Sequence, residues 1–295
     1  MNYPQIILLA LIQGMAELLP VSSTAHVIVA ERLMGLDPSA PELTFLLVML
    51  HTGTMFAVLF YFWPRWKPLL FPAVAGETKD ATPRSKFQFI TMILLATVVT
   101  GVLGLGLKFL IEKVILIGML HHEKGEVEHL FKNMPLIATG LFLVGLLILA
   151  AGSRERKSET WTIRPRSSIW IGLVQGLCLP FRGFSRSGAT ISTALFCGIA
   201  RPLAEDFSFA LAVVLTPPVI VLELYRLLRA KEWQTTAGLM ELLLPGAVGM
   251  VCSFFAGLLA LKLLSAALEK GRWKYFGIYC VAASIAVLVA VQFGL

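Results

Sequence analysis

Six long apolar segments constrain the fold of this chain more than any other feature of its sequence. A helix of about 20 apolar residues suffices to cross a bilayer. The segments cover residues 43–63, 87–111, 134–151, 207–229, 239–264 and 275–294. Only 15% of the 295 residues are charged and the mean hydropathy is +0.79, whereas a soluble domain carries about 25% charged residues. The sequence predicts an all-α polytopic membrane protein, with residues 1–295 forming a single integral membrane domain.

Two further apolar regions, 4–35 and 168–200, are interrupted by polar residues. Each apolar arm is only about 12–16 residues long, which is short for a full crossing. Non-helical backbone at membrane depth is tolerated only where protein or water covers it. We therefore predict two re-entrant helical hairpins in addition to six transmembrane helices.

Basic residues in the loops predict the orientation of the chain. The loops 64–86, 152–167 and 265–274 are rich in Lys and Arg and fall on one side of a six-span protein. Such loops remain in the cytoplasm. The loop 112–133, which is more acidic and contains three histidines expected to be solvated, then lies outside with both termini. The net charge of +7 is thus explained by orientation signals, and no nucleic-acid partner is expected.

A weak internal repeat indicates that the two halves of the chain are related. Leu11–Gly14 recurs almost unchanged at Leu173–Gly176, an offset of 162 residues. With the orientation above, the first hairpin enters from the outer face and the second from the inner face. The sequence predicts inverted repeats over about residues 1–133 and 160–295, with hairpin tips that meet near the midplane, where transporters of this architecture place their substrate sites.

The first polar insert combines a carboxylate, several hydroxyls and an imidazole. Gln13 and Glu17 are four residues apart, so a helix places them on one face. Pro20 is expected to end that helix, and the next helix would present unpaired backbone N–H groups that suit an anion. His26 lies about one turn into it, and Glu17 and His26 are more than a simple helix cap needs. The hydroxyl residues between the helices are Ser22, Ser23 and Thr24.

The second polar insert supplies an arginine and more hydroxyls. Arg186 offers a planar fork that suits phosphate oxygens, and at membrane depth it needs an anionic partner, either Glu17 or a substrate phosphate. Gly183 permits a tight turn and a close approach of the backbone to a ligand. Arg182 is either a second phosphate contact or a residue whose charge reaches the membrane interface. The hydroxyl donors of this insert are Ser185, Ser187 and Thr190.

The two inserts together favour phosphate recognition with acid–base chemistry. Glu17, alone or with the oxygen of Gln13 and substrate phosphates, would hold a divalent cation, Mg²⁺ or Ca²⁺, that keeps several waters. His51, in the first full span, is either a packing residue or a neighbour of this site.

These residues resemble the motifs of the bacterial undecaprenyl-diphosphate phosphatases, the bacitracin resistance family. The first family motif, Glu/Gln-x-x-x-Glu followed by Pro-Val-Ser-Ser-Thr-x-His, is matched from Gln13 to His26. The second, Pro-Gly-x-Ser-Arg-Ser-x-x-Thr, is matched from Gly183 to Thr190, with Arg182 in place of the proline. The resemblance extends over essentially the whole chain. Gln13 is the less usual choice at its position and leaves one carboxylate fewer for a metal.

The resemblance implies a multi-pass hydrolase of the bacterial cytoplasmic (inner) membrane, whose active site opens to the periplasmic face. It would hydrolyse undecaprenyl diphosphate, a C55 isoprenoid diphosphate, to the monophosphate and inorganic phosphate. That reaction recycles the lipid carrier of peptidoglycan synthesis, supports cell wall biogenesis and cell shape, and confers resistance to the antibiotic bacitracin. The partners expected are this polyprenyl diphosphate and membrane lipid, and a homodimer is compatible with the sequence.

We assign roles to the site residues as a hypothesis. Arg186, with Ser185 and Thr190, would clamp the diphosphate. The nucleophile is either Ser23 or a water molecule, and His26 is the expected proton carrier, with Glu17 as the alternative if His26 only orients. The catalytic residues are thus Glu17, Ser23, His26 and Arg186. The substrate-binding residues are Ser22, Thr24, Arg182, Gly183, Ser185, Ser187 and Thr190, and the metal ligands are Glu17 and Gln13.

Transport is the alternative function. Inverted repeats with broken helices also occur in transporters, so such a protein would flip a polyprenyl phosphate or move a small anion without hydrolysis. A binding protein needs the arginine and the backbone amides but has little use for a proton carrier. His26 beside Ser23 and Glu17 is therefore the sequence feature that favours the phosphatase.

Overall fold

The computed structural model describes residues 1–37, 40–70, 83–111, 113, 133–154, 159–229 and 236–293. The regular secondary structure of this part of the chain is helical, apart from one isolated β-bridge between Thr160 and Ile199. The helices are α1 Tyr3–Leu18, α2 Ser23–Leu33, α3 Pro41–Leu70, α4 Pro83–Phe109, α5 Met134–Ser153, α6 Pro165–Cys178, α7 Arg186–Phe196, α8 Arg201–Arg229, α9 Thr236–Glu269 and α10 Trp273–Gln292. Most of the predicted outer loop, including its three histidines, lies outside the described residues.

Six of these helices are long and apolar enough to cross a membrane. This confirms the predicted all-α class with six candidate spans. The stretches are Glu42–Pro68, Phe87–Phe109, Met134–Ser153, Arg201–Leu222, Leu243–Glu269 and Trp273–Gln292.

Helix α8 begins earlier than the apolar pattern indicated. The span was predicted over 207–229, with Glu205 and Asp206 just before it. In the structure α8 begins at Arg201, so both carboxylates lie inside the helix. Arg65 on α3 contacts Asp206 at 3.2 Å and Glu205 at 3.4 Å. This ionic contact with another helix allows the two acidic residues to lie within a candidate span.

The two interrupted regions each form a pair of short helices. Residues 19–22 separate α1 from α2, and residues 179–185 separate α6 from α7. Pro20 lies in the first break, where its missing N–H removes a helical hydrogen bond. The hydroxyl of Ser185 accepts a hydrogen bond from the Gly188 amide and so caps the start of α7. The breaks therefore lie at the two polar inserts.

Each short helix that precedes a break packs along a long helix from the other half of the chain. Helix α1 lies against α9, and α6 lies against α4. Glycines permit the close approach: a Cβ added at Gly14 would lie 2.6 Å from the Ala256 Cβ, and one at Gly172 would lie 2.6 Å from the Ala96 carbonyl oxygen. Small residues serve this purpose in membrane proteins, where helix association depends on close packing.

The two breaks contact each other in the protein interior. The Ser187 hydroxyl, at the start of α7, donates a hydrogen bond to the Leu19 carbonyl in the first break at 3.3 Å. Gly183, with φ of 92°, turns the second break so close to α5 that an added Cβ would meet the Ile137 carbonyl oxygen. The polar residues of both inserts are thereby brought to one place.

Candidate active site

A cavity of about 430 Å³ opens where the two helix breaks meet. Residues from α1, α2, α3, α6, α7 and α8 and from both breaks form its wall. The predicted site residues that line it are Gln13, Glu17, Ser22, Ser23, Thr24, Arg182, Gly183, Ser185 and Arg186, and His51 joins them.

Glu17 on α1 is the central anion of this cavity. The Arg186 guanidinium on α7 donates to its Oε1 at 2.9 Å. The Glu17 side chain is 16% exposed and that of Arg186 25%, so both are largely buried but open to the cavity. Of the two partners expected for Arg186, a carboxylate or a bound phosphate, the structure shows the carboxylate.

Ser23 is positioned directly on Glu17. Its hydroxyl donates to Glu17 Oε2 at 2.5 Å, and Ser23 is the first residue of α2. The residue before it, Ser22, is the one non-glycine in the described ranges with φ in the left-handed region, at 66°. Such a conformation costs about 1–3 kcal/mol and is typical of functional sites. The turn at Ser22 thus holds the Ser23 hydroxyl against the carboxylate.

Gln13 connects Glu17 to His51. Its amide nitrogen lies 3.3 Å from Glu17 Oε2 and 3.0 Å from His51 Nδ1. The His51 ring is itself 3.8 Å from the same carboxylate oxygen. Of the two interpretations of His51 left open by the sequence, the structure favours a neighbour of the site. Its place in an otherwise apolar span is the only sequence signal that could have found it.

His26 faces away from the cavity. Its Nδ1 lies 2.8 Å from the Ser22 carbonyl oxygen, which can only accept, so Nδ1 carries the hydrogen. Its Nε2 then accepts from the Tyr279 hydroxyl at 2.6 Å, and the two rings stack with centroids 5.7 Å apart. Both ring nitrogens are therefore engaged outside the Glu17 cluster. The role of His26 as a proton carrier stays a prediction that this arrangement does not support.

Two hydroxyls of the second insert hold α7 in place and do not line the cavity. Ser187 donates to the first break, as described above. Thr190 is fully buried, donates to the Arg186 carbonyl at 2.9 Å and shares a hydrogen bond with Ser208 on α8 at 2.5 Å. Ser187 and Thr190 would therefore affect a ligand indirectly, because they fix the position of α7. Their direct roles in binding stay predictions.

The predicted cation site does not form from the protein side chains alone. The Glu17 oxygens accept hydrogen bonds from three donors: Arg186, Ser23 and the Gln13 amide nitrogen. These donors occupy three of the about four lone-pair sites of the carboxylate. In the described part of the chain, no group of three or more His, Cys, Asp or Glu side chains is placed to hold a metal ion. A divalent cation at Glu17 would therefore need phosphate oxygens of a ligand and water as its other ligands.

Comparison with known proteins gives matches across nearly the whole chain. Residues 6–286 match the family described as Bacitracin resistance protein BacA. An undecaprenyl-diphosphatase 2 of Acinetobacter baylyi is 57% identical, and the match covers 98% of each chain. The undecaprenyl-diphosphatase of Desulfosudis oleivorans is 33% identical over 93% of each chain. An undecaprenyl-diphosphatase 2 of Burkholderia ambifaria is 31% identical over 95% of this chain and 94% of the relative.

The ion pair between Glu17 and Arg186 generates a prediction on stability. Removing one partner of a buried pair costs about 3–5 kcal/mol, because a charge is left without compensation, whereas replacing both is much less costly. Partial exposure to the cavity should reduce this loss. We expect Arg186→Met and Glu17→Gln each to lower the midpoint of thermal unfolding in detergent, and the double variant Glu17→Gln/Arg186→Met to recover much of the summed loss. Additive shifts from the two single variants would show that the pair does not connect α1 to α7.

Proposed function

Because the chain belongs to the Bacitracin resistance protein BacA family, we propose that it is an undecaprenyl-diphosphatase of the bacterial membrane. It hydrolyses undecaprenyl diphosphate to the monophosphate and inorganic phosphate. This returns the lipid carrier to cell-wall synthesis and confers resistance to bacitracin. The observation that carries the proposal is that one carboxylate, Glu17, accepts from both a hydroxyl and a guanidinium at the meeting point of the two helix breaks.

Glu17 accepts the proton of the nucleophile. The nucleophile oxygen forms a bond to the terminal phosphorus, the anhydride P–O bond breaks, and its electron pair leaves on the lipid monophosphate. In the serine route the Ser23 oxygen attacks, and water then hydrolyses the phosphoserine to release inorganic phosphate. In the water route a water molecule attacks in one step. The short contact between Ser23 and Glu17 supports the serine route, and it supports Glu17 over His26 as the proton acceptor.

Arg186 is the cation that meets the diphosphate. Its planar fork suits phosphate oxygens, and it stabilises the charge on the transferring phosphoryl group. When it turns from Glu17 to the phosphates, the carboxylate becomes free to accept a proton. The start of α2 adds backbone donors, because Ser22 makes no side-chain capping hydrogen bond there and the first N–H groups of a helix attract anions.

The apolar part of the cavity wall suits the lipid end of the substrate. The apolar side chains of this wall include Leu47, Leu179, Phe181, Phe184 and Val219. The first isoprene units would lie against them while the rest of the chain stays in the bilayer. The diphosphate is charged, yet the polar groups that would bind it lie at membrane depth. The cavity gives the headgroup a polar environment there, so that it does not have to enter apolar lipid.

The divalent cation predicted from the sequence keeps a place in this proposal. Glu17 would hold it together with water and oxygens of the bound diphosphate. The amide nitrogen of Gln13 faces Glu17, so the role of Gln13 as a direct ligand stays a prediction. When bound, the cation would lower the negative charge of the phosphates and favour attack on phosphorus.

We also propose that the α1–α2 and α6–α7 pairs are re-entrant hairpins in an inverted repeat. The longest of these helices has 16 residues, which spans about 24 Å of a core about 30 Å thick. The first half proposed here includes α5, Met134–Ser153, whereas the first repeat predicted from the sequence ended at about residue 133. Halves made of α1–α5 and α6–α10 pair reciprocally: the first helix of each packs on the fourth of the other, and their fifth helices pack together. The basic loops then face the cytoplasm and the cavity opens to the outer face.

Transport of the same lipid is the function that the experiment must separate from hydrolysis. On the sequence alone, His26, beside Ser23 and Glu17, is the residue expected to distinguish the two functions. In the structure His26 contacts Tyr279, so it no longer distinguishes them. The contact of the Ser23 hydroxyl with a carboxylate takes its place, since a binding site has no need to activate a nucleophile.

Phosphate release by the purified protein tests the proposal. We expect release from undecaprenyl diphosphate or a shorter isoprenoid diphosphate in detergent, and a fall in kcat of about 10²-fold or more in Ser23→Ala. Ser284→Ala is the matched control, because this hydroxyl is buried within α10 and donates to the Val281 carbonyl; it should release phosphate at the wild-type rate. A labelled phosphoenzyme in the wild type would establish the serine route, and its absence the water route. Folded wild type that binds the lipid without releasing phosphate would favour transport.

Cation dependence gives a second prediction. Because no group of three or more His, Cys, Asp or Glu side chains comes together in the described ranges, the protein without ligand should bind Mg²⁺ and Ca²⁺ only weakly by calorimetry. In the presence of the diphosphate, EDTA should suppress release, and added Mg²⁺ or Ca²⁺ should restore it. Tight cation binding by the ligand-free protein would contradict this account of the site.

A further inference from the structure

We infer that His51 is a catalytic residue, whose Nε2–H donates a hydrogen bond to the phosphoryl group that is being transferred. This inference rests on the proposed phosphatase function. It concerns a histidine outside both sequence motifs, on the long helix α3 that packs beside the two breaks.

The amide of Gln13 fixes the tautomer of His51. The carboxylate oxygen of Glu17, 3.3 Å from the amide nitrogen, can only accept a hydrogen bond. The group of Gln13 that faces it must therefore be the NH₂ and not the oxygen. The second hydrogen of that NH₂ is donated to His51 Nδ1, which lies 3.0 Å from the amide nitrogen. Nδ1 is thus the acceptor, and the hydrogen of the ring lies on Nε2.

The Nε2–H of His51 is available to a ligand. In the described ranges no protein group forms a hydrogen bond with this nitrogen, and the side chain is 41% exposed and lines the cavity. His26 provides the contrast, because both of its nitrogens are engaged and it does not line the cavity. Of these two imidazoles, only that of His51 presents a donor where the phosphates would lie.

His51 and the nucleophile both lie beside Glu17. The Ser23 hydroxyl lies 2.5 Å and His51 Nδ1 3.8 Å from Glu17 Oε2, while Arg186 holds the other carboxylate oxygen, Oε1. Nε2 lies across the imidazole ring from Nδ1, and the ring lines the same cavity as Ser23 and Arg186. A phosphoryl group bound in this cavity and attacked from Ser23, or from water at its position, would have Arg186 and the Nε2–H of His51 as donors to its equatorial oxygens. Fixed donors aimed at oxygens that gain charge lower the barrier.

No proton leaves His51 in this step. The proton of the nucleophile goes to Glu17, the electron pair of the broken P–O bond goes to the lipid monophosphate, and the Nε2–H remains on nitrogen as a hydrogen-bond donor. Gln13 is the positioning residue, because its NH₂ orients the ring. A glutamate at position 13 would instead set a second acceptor against Glu17, so the glutamine and His51 suit each other in this chain.

Kinetics of His51 variants test the donor. Removing one fixed donor costs about 10²–10³-fold in kcat, so His51→Phe should lose at least about 10²-fold with little change in KM. His51→Gln keeps an N–H donor of similar reach and should recover most of the rate. Tyr279→Phe, which removes the partner of His26, should stay near wild type. Normal kcat in a folded His51→Phe, measured beside active wild type, would overturn the inference. Absence of phosphate release in the wild type would overturn the proposed function instead.

Nitrogen NMR of the ¹⁵N-histidine-labelled protein gives a readout that does not depend on activity or on the folding of His51→Phe. The signals of His51 are assigned by their loss in His51→Gln. We expect the Nε2–H tautomer for His51 and the Nδ1–H tautomer for His26. In Gln13→Leu the His51 signals should lose the signature of an Nδ1 acceptor. An Nδ1–H tautomer for His51 in the wild type would overturn the inference.

Discussion

The contacts of one carboxylate determine how the rest of this protein is arranged. Glu17 lies near the end of a short apolar helix, where an isolated charge would be costly in a membrane. Arg186 from the other half of the chain offsets that charge through Oε1, and Ser23 and Gln13 donate hydrogen bonds to Oε2. To bring these donors together, both inserts must leave the helical conformation at nearly the same place. This contact depends on the paired helix breaks and on the close packing of α1 on α9 and of α6 on α4. The cavity lies at the same place.

The sequence predicted those features that depend on local composition. Six apolar segments became six candidate spans, and Pro20 and the polar inserts marked the helix breaks. The meeting of the two inserts was also predictable, because Arg186 at membrane depth required an anion and Glu17 was a candidate. Three features remain proposals. The lengths of the short helices support the re-entrant hairpins, the reciprocal packing of the helices supports the inverted repeat, and the basic loops support the membrane orientation.

Features that depend on helix rotation could not be read from the sequence. Helix α3 is apolar on nearly every side, so no amphipathic pattern indicated that His51 would face the cavity. On α2, Thr24 and Val27 line the cavity with Ser23, and His26 falls on the other side of Ser23, where Tyr279 covers it. The motif thus predicted the correct helix, but it did not predict on which side of that helix His26 lies. The start of α8 was missed for a related reason, since its carboxylates depend on Arg65 from a different helix.

The central claim is that Glu17 activates the nucleophile that attacks the lipid diphosphate. The most direct test is single-turnover phosphate release by wild type and Glu17→Gln, with binding of the lipid diphosphate measured on the same preparations. The account predicts that folded Glu17→Gln still binds the lipid but releases phosphate at least about 10²-fold more slowly. Release at the wild-type rate by folded Glu17→Gln would contradict it.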